Sequence, residues 1–153
     1  MLPFIEVWLG QQETALLQAG QPLTTAQLRD AQQVGVRYPE RIRVVVSEKI
    51  PMPQGGVWVV GFYLYRLICR RPIGFALGYG IYIRSPYRNS RSVLVHELVH
   101  TAQHERFENL GAFVKEYLSE VLEFGYRYAP LEEEARLIES ALCVTKLSNR
   151  LKQ

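Results

Sequence analysis

The chain has 153 residues, of which 48% are hydrophobic and 22% charged, with a formal net charge of +3. This length suits one domain with one core, and the composition excludes a disordered chain. We therefore expect one domain over residues 1–153. The small positive charge is by itself no signature of nucleic-acid binding.

Cysteine usage and hydropathy narrow the class of protein further. Cys69 and Cys143 lie far apart without the spacing of a metal site. We expect two buried free thiols in a reducing compartment, and the alternative is one disulfide between them. The chain contains no run of about 18 uncharged apolar residues, so no membrane-spanning helix is predicted. The most apolar stretch, residues 57–69, is short and carries Arg66, and a peripheral membrane contact there is not favoured. The N-terminus lacks the basic region of a secretory signal, so we expect a cytoplasmic protein.

Two helices are predicted first. Residues 4–19 have a helical pattern. Their expected core contacts are Phe4, Val7, Trp8, Ala15 and Leu16. Thr24 or Thr25 is expected to cap a second helix at residues 25–36. Its expected core contacts are Leu28, Ala31 and Val34.

Strands follow, and further helices complete the chain. Residues 41–50 and 75–84 are predicted strands, and residues 57–65 form either a strand or a buried helix. The remaining predicted helices are residues 91–106, 109–124 and 130–148. Helices first, strands next and helices last predict an α+β fold with a small, mostly antiparallel sheet.

Residues 93–104 read VLVHELVHTAQH and contain an HExxH pattern. Four residues turn a helix through about 400°, so His96 and His100 lie on one face and both imidazoles can reach one ion. Glu97 lies beside them, where its carboxylate can accept a proton from water. The pattern predicts one zinc ion with His96 and His100 as ligands and Glu97 as general base. The alternative is a core helix with two incidental histidines.

A third ligand must come from another segment. His104 continues the spacing, but it lies a rise of about 12 Å beyond His96, too far for one ion to contact both. We expect His104 to face solvent or to lie behind the ligands. Three glutamates begin a later helix: Glu132, Glu133 and Glu134. Periodicity does not select among them, and acidic residues are favourable near a helix N-terminus without any metal.

Three pieces of the chain resemble a known family. GFALGYGIYIR, HELVHTAQ and PLEEEA are similar, in this order, to a strand, the zinc helix and a later glutamate helix of gluzincin-type zinc metallopeptidases. The closer resemblance is to the small bacterial HExxH domains of the DUF4157-like group. It covers about residues 24–142, and HELVH is its most specific part. It implies a minimal zincin-like fold.

The resemblance also implies a third ligand. Glu132 stands three residues before the alanine of PLEEEA, as the family's ligand does, and is therefore the implied choice. Arg136 stands where relatives often have an aspartate, so Glu134 is kept as the alternate ligand. The strand at residues 75–84 is implied to border the cleft, where an extended substrate can pair with it. A hydrolase also needs a group that stabilises the oxyanion. Three tyrosines are candidates, and none is assigned: Tyr117, Tyr126 and Tyr128.

These features together predict a zinc-dependent metallopeptidase, or a peptidase-like domain, with a peptide or protein as its substrate. The alternative is a catalytically inactive zincin-like module that binds a protein partner. Glu97 argues against this alternative, because a purely structural zinc site needs no general base. Substrate-binding residues and the oligomeric state are not assigned.

A basic and aromatic segment raises one further alternative, nucleic-acid binding. Its arginines are Arg66, Arg70, Arg71, Arg84, Arg88 and Arg91. Its tyrosines are Tyr63, Tyr65, Tyr79, Tyr82 and Tyr87. An arginine run on strands and loops is more often a solvated face, so we do not expect a nucleic-acid partner.

Overall fold

The computed structural model describes residues 2–49 and 73–150, with side chains described over 6–49 and 73–144. The helices in these ranges are α1 (Leu2–Ala19), α2 (Thr25–Gln33), α3 (Arg91–His104), α4 (Leu110–Phe124) and α5 (Pro130–Arg150). The strands are β1 (Gln21–Pro22), β2 (Arg43–Ser47), β3 (Gly74–Leu77) and β4 (Gly80–Arg84). The predicted α+β class is confirmed. The predicted element at residues 57–65 lies outside the described residues, as does Cys69.

The strands form one mixed sheet in the order β1-β2-β4-β3. The central pair, β2 and β4, is parallel, and the two outer pairs are antiparallel. The sheet is therefore mostly antiparallel, as predicted. Among the described strands, β3 is the outermost on the side of α3, which it contacts.

Residues 75–84 form a β-hairpin, so the prediction of a single strand was wrong. Leu77 of β3 pairs with Gly80 of β4, which leaves a two-residue turn. Gly78 takes the first turn position with a φ of 59°, a conformation that glycine adopts without a steric penalty. The backbone N–H of Tyr79 donates to Glu13 Oε1 at 3.1 Å, so α1 also holds the turn.

Side-chain caps set where the helices begin. Thr24 and Gln27 form a capping box at the start of α2, which confirms Thr24 as the cap. Ser90 accepts a hydrogen bond at the start of α3, and Asn109 does so for α4. The second helix ends at Gln33, before the predicted residue 36, because Gly35 turns the chain with a φ of 96°.

The main core lies between the sheet and one face of α3. Leu94 and Leu98 of α3 pack with Ile81 and Ile83 of β4, and each is at most 4% exposed. Burial of such side chains contributes about 1.5–3 kcal/mol each. This packing fixes the rotation of α3 about its axis, so a different face of the helix is directed at α5.

The predicted core contacts of α1 are confirmed only in part, whereas those of α2 are all confirmed. On α1, Leu16 is buried and Trp8 half-buried, but Val7 and Ala15 are exposed, and the side chain of Phe4 lies outside the described residues. Leu9 is buried instead, because two helical residues turn through about 200° and Val7 therefore points away from the core. On α2, the predicted contacts are confirmed, with Ala31 buried and its two partners half-buried.

Part of the described basic and aromatic segment packs into the fold, whereas Tyr87 and Arg88 are exposed. Tyr79 and Tyr82 are buried, so their rings are not available for base stacking. Arg91 donates two hydrogen bonds, of 2.8 and 2.9 Å, to the buried Asp30 carboxylate. Cys143 is half-buried, not fully buried as predicted. None of the helices in the described ranges has the length and apolar composition needed to cross a lipid bilayer.

Candidate metal centre

The two histidines of α3 lie one turn apart on the face directed at α5. His96 Nε2 and His100 Nε2 are 3.1 Å apart, and their ring centroids are separated by 4.8 Å. The opposite face of α3 is held by Leu94 and Leu98 in the core. The predicted juxtaposition of the two imidazoles is therefore present.

A glutamate from α5 completes this arrangement. Glu132 Oε2 lies 3.2 Å from His96 Nε2, and Glu132 Oε1 lies 3.3 Å from His100 Nε2. Glu132 is 1% exposed, so its carboxylate is withdrawn from water. Within the described residues, His96, His100 and Glu132 are the group whose ligand atoms lie close enough together to hold a metal ion. We call these three residues the ligand cluster.

The alternate third ligand, Glu134, is not part of the ligand cluster. Its carboxylate accepts hydrogen bonds from Arg106, at 2.6 and 3.0 Å, and from Gln103 Nε2 at 2.7 Å. Two residues of helix turn through about 200°, so Glu132 and Glu134 point to different sides of α5. Glu133, between them, is exposed.

The hydrogen bonds behind the two histidines determine which ring nitrogen carries the proton. His96 Nδ1 lies 3.1 Å from Glu139 Oε2, and His100 Nδ1 lies 2.8 Å from Gln103 Oε1. Both partners are acceptors, so each Nδ1 donates its proton. In a neutral imidazole the other nitrogen, Nε2, then presents a lone pair.

The ligand cluster therefore fits a cation. Two imidazole lone pairs and a carboxylate converge within 3.3 Å of one another. Lone pairs at this distance repel each other unless a proton or a metal ion lies between them. None of the described residues hydrogen-bonds to Glu132 Oε2, although this atom is buried. An ion bound by all three groups would satisfy it.

The electrostatics of the ligand cluster favour positive charge. Burial lowers the pKa of His96, but the carboxylates of Glu132, Glu97 and Glu139 raise it more, to about 9. The pKa of His100 is also raised, because Glu132 and Glu97 outweigh its burial. Burial acts to raise the pKa of Glu132, yet the two histidines hold it well below its usual range. Without a metal ion, protons supply the charge that this group of side chains requires.

Glu97 lies on α3 between the two histidines in sequence and is 6% exposed. Burial raises its pKa, and the nearby His100 and His96 oppose this effect. None of the described residues hydrogen-bonds to Glu97 Oε2, which is buried. A Cβ atom at Gly74 would lie 3.1 Å from Glu97 Oε1, so glycine allows β3 to approach this carboxylate closely. A buried carboxylate with one unpartnered oxygen is suited to exchanging a proton with a bound molecule.

One of the three candidate tyrosines is at the ligand cluster. The Tyr117 hydroxyl donates to Glu132 Oε1 at 2.6 Å, and its ring packs edge-on against His100 with centroids 5.8 Å apart. Tyr126 and Tyr128 are 38% and 61% exposed. Because Tyr117 donates its hydroxyl proton to a candidate ligand, it orients that ligand in this structure.

Sequence reasoning did not identify the partners of the Nδ1 atoms, Glu139 and Gln103. Glu139 follows Glu132 by two helical turns, and Gln103 follows His100 by three residues. Both spacings place side chains on one helical face, so helical periodicity could have identified Glu139 and Gln103 as neighbours of the ligands. Arg136, the departure from the family pattern, lies 3.6 Å from Glu132 Oε2.

His104 is half-buried, so it neither faces solvent fully nor lies among the ligands. Its ring contacts Tyr79 edge-on at a centroid distance of 5.7 Å and Phe113 at 6.2 Å. None of the described residues hydrogen-bonds to its buried Nδ1. Burial lowers the pKa of His104. It is absent from the ligand cluster, as its spacing on the helix requires.

Comparison of the chain with models of protein families, with curated proteins and with solved structures finds no match. The ligand cluster and its surroundings are therefore the features of the chain that bear on its function.

Proposed function

We propose that the chain is a zinc-dependent metallopeptidase. The observation that carries the proposal is the convergence of His96 Nε2, His100 Nε2 and the Glu132 carboxylate within 3.3 Å. Zinc–ligand distances of about 2.0–2.1 Å in a tetrahedron separate neighbouring ligand atoms by about 3.3 Å. Two imidazoles and one carboxylate are also a ligand set of catalytic zinc in peptidases.

The number of ligands favours a catalytic over a structural site. Structural zinc is usually closed by four protein ligands, whereas catalytic zinc keeps one position open. Among the described residues, three side chains meet at the ligand cluster. The resemblance of HELVHTAQ and PLEEEA to gluzincin-type sequences supports the same interpretation.

The proposed reaction is hydrolysis of a peptide bond. Bound zinc would act as a Lewis acid toward a water molecule and the substrate carbonyl. Glu97 Oε2 accepts a proton from that water while the water oxygen bonds to the carbonyl carbon. Glu97 then donates the proton to the amide nitrogen as the C–N bond breaks, which leaves a carboxylic acid and an amine. The Nδ1 partners Glu139 and Gln103 keep the two histidines oriented throughout.

The proposed substrate is an extended peptide. Of the described strands, β3 is the outermost beside α3, and Gly74 at its start lies against Glu97. A peptide added to an outer strand is held by main-chain hydrogen bonds and needs few specific side-chain contacts. This position would bring a substrate carbonyl near the ligand cluster.

Glu97 also argues against an inactive interaction module. A buried carboxylate with an unpartnered oxygen is destabilising, and a module that only binds a partner has no need of it. The decisive experiment therefore removes this carboxylate and retains the metal.

The test compares zinc-loaded wild type with Glu97→Gln on a peptide library, with cleavage read by mass spectrometry. We expect both proteins to contain zinc, and Glu97→Gln to cleave at least about 100-fold more slowly. The matched control is Glu133→Gln, an exposed glutamate that should cleave as wild type does. A zinc-loaded wild type that cleaves no peptide, or equal cleavage by Glu97→Gln, would contradict the proposal.

A further inference from the structure

We infer that Gln103 is a positioning residue of the proposed zinc site, because one buried amide joins His100 to the peptide group that precedes Glu132. The inference rests on the proposed function and extends it to a residue outside the ligand cluster. Gln103 is 1% exposed, so its amide cannot satisfy its hydrogen bonds with bulk water.

Every polar atom of this amide has a partner. Gln103 Oε1 accepts from His100 Nδ1 at 2.8 Å. Gln103 Nε2 donates to the backbone carbonyl of Leu131 at 2.9 Å and to Glu134 Oε2 at 2.7 Å. The reverse orientation of the amide would place its oxygen against two acceptors, the Leu131 carbonyl and the Glu134 carboxylate. The hydrogen-bond network therefore permits one orientation.

An ion pair behind Gln103 secures that orientation. Arg106 donates to both carboxylate oxygens of Glu134, and a paired carboxylate remains ionised and accepts hydrogen bonds only. Glu134 must then receive an N–H from Gln103, and Gln103 must present its oxygen to His100. These contacts run from Arg106 through Glu134 and Gln103 to His100. They thereby direct the His100 Nε2 lone pair into the ligand cluster.

The second N–H of Gln103 Nε2 links α3 and α5, the two helices that supply ligands. The Leu131 carbonyl belongs to the peptide group that joins Leu131 to Glu132 on α5. His100 and Gln103 both lie on α3. The same side chain thus sets the ring orientation of one ligand and anchors the backbone beside another. Loss of the amide is expected to loosen both ligands at once.

The test uses Gln103→Met, which keeps the length of the side chain and removes its hydrogen bonds. Zinc affinity is measured by competition with a chromophoric chelator, and the imidazole N–H signals are measured by long-range ¹H–¹⁵N NMR. We expect zinc affinity to fall by about 10- to 100-fold, and the protected His100 Nδ1–H signal to be lost. Glu134→Leu, which removes only the far acceptor, should lower the affinity by a smaller factor and tests the inference if Gln103→Met does not fold.

The matched control is Thr101→Val. Thr101 is fully buried on the same helix and donates to the Gly78 carbonyl at 3.0 Å, away from the ligands. It should lower stability but keep wild-type zinc affinity. Unchanged affinity and an unchanged His100 signal in folded Gln103→Met would overturn the inference, and so would an equal loss in Thr101→Val.

The outcomes also separate this inference from the proposed function. A wild type that binds zinc but cleaves no peptide overturns only the peptidase activity, and the effect of Gln103 on zinc affinity then still supports the inference. A wild type that binds no zinc overturns both.

Discussion

His96 Nδ1 lies 3.1 Å from Glu139 Oε2, while His96 Nε2 lies 3.2 Å from Glu132 Oε2. Both carboxylates come from α5, two turns apart, so one helical face contacts both nitrogens of the same imidazole. A carboxylate behind a metal-binding histidine orients the ring and raises its basicity. Glu139 is therefore placed to orient the His96 ring toward the ligand cluster.

Removal of the Glu139 carboxylate should weaken metal binding. Glu139→Ala leaves His96 free to rotate about its side-chain bonds, and we expect zinc affinity to fall by about 10- to 100-fold. Chelator competition measures the change. The control is Glu133→Ala, which removes an exposed carboxylate from the same helix and should keep wild-type affinity. Equal affinities for the two variants would show that Glu139 does not support the site.

The third ligand can be identified by metal content. Glu132→Gln removes the charge that faces both histidines, so we expect zinc to fall from about one ion per chain to well below half. Mass spectrometry of metal content after dialysis against metal-free buffer provides the measurement. Glu134→Gln should retain zinc, because Glu134 is outside the ligand cluster and the new amide oxygen can still accept from Gln103. Zinc lost from Glu134→Gln and kept by Glu132→Gln would reverse the assignment.

His104 should make the fold sensitive to acid. Its pKa in the folded protein is below the ordinary value of 6.5, because burial disfavours the charged ring, while Glu13 and Glu105 oppose the shift and Arg41 adds to it. The unfolded chain binds the proton more readily, so this contribution to stability is complete above about pH 6.5 and is lost as the pH falls below it.

His104→Phe tests this assignment. The new ring keeps the packing against Tyr79 and Phe113 and removes the unpartnered nitrogen, so we expect stabilisation on the order of 1 kcal/mol. The gain in melting temperature over wild type should also be larger at about pH 5 than at about pH 7.5, because only wild type then loses the contribution of His104. Thermal unfolding of metal-free protein at both pH values measures the difference. An unchanged pH dependence would show that His104 is not the group responsible.

Gly78 should be intolerant of a side chain. Its φ of 59° disfavours other residues, and a Cβ atom there would collide with the Glu13 carboxylate. We expect Gly78→Ala to reduce the free energy of unfolding by about 1–3 kcal/mol. Gly10→Ala is the control, since a Cβ on that helical residue meets nothing within 4 Å and should stabilise by about 0.5–1 kcal/mol. Chemical denaturation compares the two, and equal stabilities would refute the turn assignment.

The order and class of the described elements could be predicted from local patterns, because caps, turns and periodicity act over a few residues. The exceptions have physical causes. Residues 75–84 were predicted as one strand because apolar and aromatic residues continue on both sides of Gly78, whose positive φ reverses the chain. Val7 was predicted to be buried because helical periodicity shows that a face exists and does not show which face meets the sheet.

The sequence by itself determined that His96 and His100 share a face of one helix, since four residues of α-helix have only one geometry. It did not decide between Glu132 and Glu134 through periodicity, because that choice depends on how α5 rotates against α3. Only the tertiary structure brought Glu132 to the histidines, paired Glu134 with Arg106, and placed Glu139 and Gln103 behind the rings. Helical periodicity is a local property, whereas the partner of each face is set by packing between residues distant in the chain.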